Sequence, residues 1–128
     1  MESTERLTAH FTVAEMACRC CGEAPMDAGF MQQLEALRLA YAHPMPVTSG
    51  YRCAAHNQAV SSSGPGGPHT TGRAADVRVS GPRAYLLLAF ALAHDFTGIG
   101  IKQHGPAAKR FLHVDTVPRR QRLIWSYP

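Results

Sequence analysis

His69-Thr70-Thr71-Gly72-Arg73-Ala74-Ala75-Asp76 decides how this chain reads, with Phe111-Leu112-His113-Val114-Asp115 completing it. Seven positions separate His69 from Asp76. That is too far for one helical face, and it suits a loop folding back against a strand. Gly72 lets the intervening backbone turn sharply. Ala75-Asp76-Val77-Arg78-Val79 alternates as a strand does, and residues 111–116 do the same. Phe111, His113 and Asp115 therefore share one strand face.

Two imidazoles and a carboxylate from such segments are ligands suited to a divalent metal. His69, Asp76 and His113 are the candidate set, with Zn2+ the expected ion. Three protein ligands leave a fourth position for water, which distinguishes catalytic from structural zinc. Such an ion lowers the pKa of its water toward ~7 and polarises a carbonyl. The expected chemistry is that of a small zinc hydrolase. Asp115 either points toward the same site or supports His113 from behind. A lone histidine is more often structural or on the surface than a ligand, and His10, His43, His56 and His94 are read that way.

Working outward, 128 residues make a single domain of ordinary size, and 45% hydrophobic residues supply a core. No apolar run reaches the 18 residues of a membrane helix, so membrane insertion is not expected. The longest, Tyr85 to Ala93, ends at His94 and Asp95 and suits a buried helix. Met1 to His10 is polar and lacks the apolar centre of a secretory signal, which points to synthesis in the cytoplasm. Net charge is +4 and the pI is near 9.1, with Arg119, Arg120 and Arg122 clustered in a basic C-terminal tail over 118–128. A basic surface attracts nucleic acid, anionic lipid or an anionic wall. No nucleic-acid-binding motif accompanies it, so nucleic acid is not an expected partner. Cys18, Cys20, Cys21 and Cys53 form a Cys-x-Cys-Cys cluster with one distant partner. That spacing differs from the paired Cys-x-x-Cys of zinc ribbons, and free thiols, one disulfide or a second metal are all open readings.

Thr12 to Glu15 fits a capping box and predicts a short helix ended by the cysteine-rich turn. Asp27 suits the N-cap of a helix whose Phe30, Leu34, Leu37 and Tyr41 form one apolar stripe, stopped by Pro44 and Pro46. Val47 to Ser49 reads as a strand, Gly50 to Arg52 as a turn, and Cys53 to Val60 as a helix. Ser61 to Pro68 reads as a mobile surface loop. A helix follows Pro82 to about His94, and Gly98 to Lys102 is a further strand. The order predicts an α+β fold with a small antiparallel sheet and helices packed on one side.

Ser49-Gly50-Tyr51-Arg52, His56-Asn57, His69-x-x-Gly72-Arg73-Ala74-Ala75-Asp76 and His113-Val114-Asp115 together resemble the zinc D-alanyl-D-alanine carboxypeptidases. These share a fold with the hedgehog signalling domain and the lysostaphin-type enzymes. The short, phage-like subgroup is the most similar, since it also opens with a His-Phe-Thr-x-x-Glu segment and a cysteine cluster, as at His10 to Cys21. The resemblance spans about residues 10–117. It implies that His69, Asp76 and His113 bind zinc. It also implies that Arg52 grips the free carboxylate of a peptidoglycan stem peptide through its planar fork, rather than forming an ordinary surface ion pair. Two positions depart from the family pattern. Arg110 stands where many members carry an acidic general base, and Gly67 stands where many carry Ser. The base is then expected to be Asp115, on strand-face grounds, or His104 in its loop. The expected protein is a monomeric peptidase acting on the bacterial cell wall, most specifically a D-Ala-D-Ala carboxypeptidase. The alternatives are a cell-wall endopeptidase, as in a phage lysin, or an inactive, zinc-bound wall-binding module.

Overall fold

The computed structural model describes residues 5–128, and residues 1–4 of the polar Met1–His10 stretch lie outside it. Among these described residues, five strands form one sheet: β1 (Val47–Ser49), β2 (Ala74–Arg78), β3 (Gly98–Lys102), β4 (Phe111–Asp115) and β5 (Leu123–Ser126). Their order is β1-β2-β4-β3-β5. Among the described residues, four α-helices accompany it: α1 (Val13–Met16), α2 (Ala28–Tyr41), α3 (Ala54–Val60) and α4 (Gly81–Leu92). This is the expected α+β fold.

Local chemistry accounts for most of these elements. Thr12 and Glu15 form a reciprocal capping box that opens α1. The Asp27 carboxylate accepts the Phe30 N–H and opens α2. Along α2, Phe30, Leu34, Leu37 and Tyr41 are buried, and Met31 joins them. They pack with Leu87 and Ala91 of α4 against Ala75, Val77, Ile99, Leu112 and Val114 of the sheet. Truncating a residue such as Leu34 to Ala in this core costs about 2–5 kcal/mol.

Alternation then leaves the other sheet face for polar work. Ala75 and Val77 look into the core, so Asp76 looks away from it; Leu112 and Val114 do the same for His113 and Asp115. The sheet departs from a purely antiparallel one at its edge. The pairs β1–β2, β2–β4 and β3–β4 are antiparallel, but β5 runs parallel to β3. β5 lies within residues 118–128, which the sequence reads as a basic tail. Arg119 and Arg122 are ion-paired to Asp115 and Asp95, so two of the three clustered arginines are tied to the fold rather than left as free surface charge.

Candidate metal centre

One row of the sheet carries the site. Ser49 pairs with Asp76, Asp76 with His113, His113 with Gly100, and Gly100 with Trp125. Residues opposite one another in a ladder point to the same face, so this row collects a hydroxyl, a carboxylate, an imidazole and an indole. His69 comes from outside the sheet. A 3-10 turn over Pro68–Thr71 holds it, and Gly72 at φ +72° reverses the chain into β2. The segment before β2 is therefore a hydrogen-bonded turn at His69, and His69 is buried. The loop ahead of it is anchored as well, since Asn57 Nδ2 donates to Ser63 Oγ and to the Gly64 carbonyl.

His69, Asp76 and His113 each present a donor atom, and these lie within 4.8 Å of one another. Asp76 Oδ1 is 3.2 Å from His69 Nε2 and 2.9 Å from His113 Nδ1. The outer nitrogens assign the tautomers. His69 Nδ1 lies 2.7 Å from the Gly50 carbonyl, which can only accept, so Nδ1 carries the proton. His113 Nε2 lies 2.7 Å from Asp115 Oδ2 and donates to it. Both rings in their neutral form therefore turn lone pairs toward the Asp76 carboxylate. Three electron-rich groups facing one another repel unless a positive charge sits among them. A divalent cation fits: tetrahedral zinc with bonds of ~2.0–2.2 Å spaces such donors at about 3.5 Å. A proton is the other way to relieve the repulsion. Burial opposes a charged His113, yet hydrogen bonds to Asp115 and Asp76 raise its pKa. Burial likewise opposes ionisation of Asp76, yet the two histidines hold its pKa well below the carboxylate range.

Asp115 is fully buried, and both of its oxygens are committed. Oδ2 accepts from His113 Nε2 and Oδ1 accepts from Arg119 Nη1. Gly98 leaves the space for this pair, because a Cβ there would come within 2.5 Å of Asp115 Oδ2. Asp115 thus meets His113 on the ring edge opposite Asp76. Its oxygens face His113 and Arg119, an arrangement that orients the imidazole from behind.

Arg52 stands beside the three donors. Its Nη2 is 3.5 Å from Asp76 Oδ2, its Nε donates to Ser49 Oγ at 3.0 Å, and its Nη1 donates to Asn57 Oδ1 at 3.3 Å. Its backbone N–H donates to the His69 carbonyl. The side chain is 16% exposed, so this is a held guanidinium beside a buried carboxylate and not a loose surface pair.

A family model described as peptidase M15 matches residues 9–115, well over half of the chain. The chain belongs to the peptidase M15 family. No curated protein matches it significantly. M15 peptidases are metal-dependent, and the buried His69-Asp76-His113 set is a candidate site for such a metal.

Within that M15 frame, the structure adds groups that sequence reading missed. Trp125 packs its ring 5.1 Å from that of His113, and Arg119 lies over the same indole at 5.6 Å. Tyr127 packs on Phe111 at 5.0 Å. Gly100 makes this aromatic wall possible, because a Cβ there would come within 2.7 Å of Trp125 Nε1. Burial and the charges of Asp76 and Asp115 push the Tyr127 phenol up to about 12, so it keeps its proton. The alternation Trp125-Ser126-Tyr127 was the available signal. Asn57, buried and gripping Arg52, carried no signal beyond its place beside His56. His104 is exposed, with Nε2 3.2 Å from the Tyr127 carbonyl. Arg110 stands on the other sheet face, beside Ala84, Leu88 and Leu112, and donates to the Gly105 carbonyl.

Proposed function

We propose that this M15 peptidase is a D-Ala-D-Ala carboxypeptidase acting on peptidoglycan stem peptides, with His69, Asp76 and His113 as the ligands of its zinc. The observation that carries the reading is Arg52, a guanidinium held against the donor cluster by Ser49, Asn57 and Asp76. A carboxypeptidase must recognise a free terminal carboxylate next to the scissile bond. A guanidinium fork is the side chain best matched to that group.

Zinc bound here would supply an activated water and a Lewis acid for the scissile carbonyl. The chain's own residues do the rest. Arg52 binds and orients the terminal carboxylate, which places the last peptide bond over the donors. Asp115 and the Gly50 carbonyl aim the two imidazoles. Trp125 and Tyr127 wall the site and exclude water from one side, and the neutral phenol of Tyr127 is available as a donor. Asp115 behind His113, or His104 beside that wall, is the proton carrier in this reading.

The test is release of free D-alanine from a stem pentapeptide by purified protein. Activity is expected to vanish with a chelator and to return with zinc. Cleavage that ignores the chelator, or internal cleavage with no single amino acid released, sinks the carboxypeptidase reading; the second result supports an endopeptidase. Zinc-loaded protein that binds peptidoglycan and cleaves nothing supports the inactive wall-binding module.

A further inference from the structure

The four cysteines stand apart from the His-Asp-His centre, and the fold gathers them. The sulfurs of Cys18, Cys21 and Cys53 lie within 4.8 Å of one another. Cys20 adds a fourth thiol, in contact with that of Cys53. All four are free. They come from two separate segments, since Cys18 and Cys53 are 35 residues apart.

The backbone around Cys18 is shaped for a thiolate. Cys18-Arg19-Cys20-Cys21 contains a Cys-x-x-Cys pair inside the Cys-x-Cys-Cys string. Gly22, at φ +77°, donates its N–H to the Cys18 carbonyl at 2.9 Å, and the Cys18 N–H donates to the Glu23 carbonyl. This closes a tight turn around the sulfur. The Cys53 N–H donates to Cys18 Sγ at 3.4 Å, and the N–H groups of Cys20 and Cys21 point at the same atom. Burial opposes ionisation of Cys18, but those backbone donors bring its pKa down to about 6. Cys53 is the N-cap of α3 yet caps no N–H with its side chain; its sulfur is turned to the other thiols instead.

Disulfides would bring the sulfurs together in separate pairs, whereas those of Cys18, Cys21 and Cys53 converge mutually. Several thiols gathered around one point suit a central ion. Tetrahedral zinc with Zn–S bonds of ~2.3 Å needs sulfurs about 3.8 Å apart, which falls inside the 4.8 Å that bounds these three. We propose that Cys18, Cys21 and Cys53, with Cys20 as fourth donor, form a second, thiolate-only zinc site that staples the turn after α1 to the residue following Arg52. Four thiolates select a soft ion and leave no open position, so this site is structural.

Its place explains what it would hold. Tyr51 donates its N–H to the Met16 carbonyl at 2.8 Å, and Gly50 is pressed so close to Met16 that a Cβ would come within 2.7 Å of its Cα. On its other side the same short segment contacts His69, through the Gly50 carbonyl and the Arg52 N–H. The thiolate site fixes one end of the segment that presents Arg52 to the catalytic donors.

The experiment is metal analysis and cobalt substitution of the full chain purified under reducing conditions. Two zinc ions per chain are expected. The cobalt form is expected to show an intense near-ultraviolet thiolate-to-cobalt band that is lost in Cys53→Ser and retained in His69→Ala. One zinc per chain that disappears with His69→Ala, or a cobalt spectrum without that band, overturns the proposal. So does a native mass lower by two hydrogens, which marks a disulfide. Should Cys53→Ser fail to fold, the wild-type spectrum still decides the matter. Cys20→Ser, at an exposed position, is then expected to weaken the band, and an unchanged band overturns the four-thiolate assignment. None of these readouts depends on peptidase activity, so the site can fail without the proposed activity failing.

Discussion

At the metal-donor cluster over the sheet, each ring that faces Asp76 is held from behind by a second group; in the turn after α1, the thiols are held by backbone N–H groups and by one another. His69 has the Gly50 carbonyl and His113 has Asp115, which is itself fixed by Arg119. The cysteines have a tight turn and the start of a short helix. The difference follows from chemistry. An imidazole binds metal through one lone pair in the ring plane, so its tautomer and tilt must be set in advance. A thiolate is soft and swivels, so closeness is sufficient. The three-donor cluster is flanked by Arg52 and the aromatic wall, whereas four sulfurs would surround their ion on every side. Two clusters of similar span are thus suited to opposite tasks.

Removing a ring from the sheet cluster should do most to separate the two. His69→Ala is expected to lower kcat/KM for D-alanine release by about 10^3 or more, since metal catalysis supplies several kcal/mol of the barrier. The thiolate-to-cobalt band should survive. If the band and the activity fell together, the two centres would be one cooperative unit.

Arg52→Lys comes next. It keeps the charge and loses the fork, and it should cost roughly 10–100-fold in kcat/KM on a substrate with a free terminal carboxylate. On a substrate amidated at that end, wild type and variant should differ little. Equal losses on both substrates would show that Arg52 supports Asp76 and not the substrate.

Asp115→Asn tests the supporting group directly. Zinc affinity of the sheet site, measured by competition with a chelator, should fall by about 10–100-fold, with the thiolate site unchanged. A variant with unchanged affinity and lost activity would make Asp115 a participant in the chemistry.

The smallest effect is one of pH. In the metal-free chain His113 has a raised pKa, against burial, because of Asp115 and Asp76. A folded-state pKa above the usual ~6.5 gives stability that is fully present below that value. It is lost as the pH rises through the folded-state pKa. Zinc takes the place of that proton, so its binding strengthens with pH. The gap in Tm between zinc-loaded and metal-free protein should therefore widen from about pH 6 to about pH 8. A constant gap would mean that the ion does not displace the His113 proton. Four-thiolate binding cannot mimic the effect in Cys53→Ser, so repeating the scan there isolates the sheet site.

Much of this was legible before any coordinates. Period-two alternation around Asp76 and His113 placed both on a polar sheet face, and the stripe from Phe30 to Tyr41 marked the helix that covers the other face. Asp115 was legible as a neighbour of His113, but strand periodicity cannot say which ring nitrogen it meets. β5 was hidden because Arg119, Arg120 and Arg122 precede a four-residue edge strand too short to declare itself. The Cys-x-x-Cys pair was hidden by the extra Cys20 between its members.

The amino-acid order by itself determined which side chains could bind metal and which face of each strand would carry them, because both follow from residue chemistry and backbone period. Tertiary structure alone decided the register Ser49–Asp76–His113–Gly100–Trp125, the commitment of Asp115 to Arg119, and the meeting of Cys53 with the Cys18 turn. These join residues far apart in the chain. Their alignment is chosen by how the core packs and how the strands pair, and no local pattern encodes it.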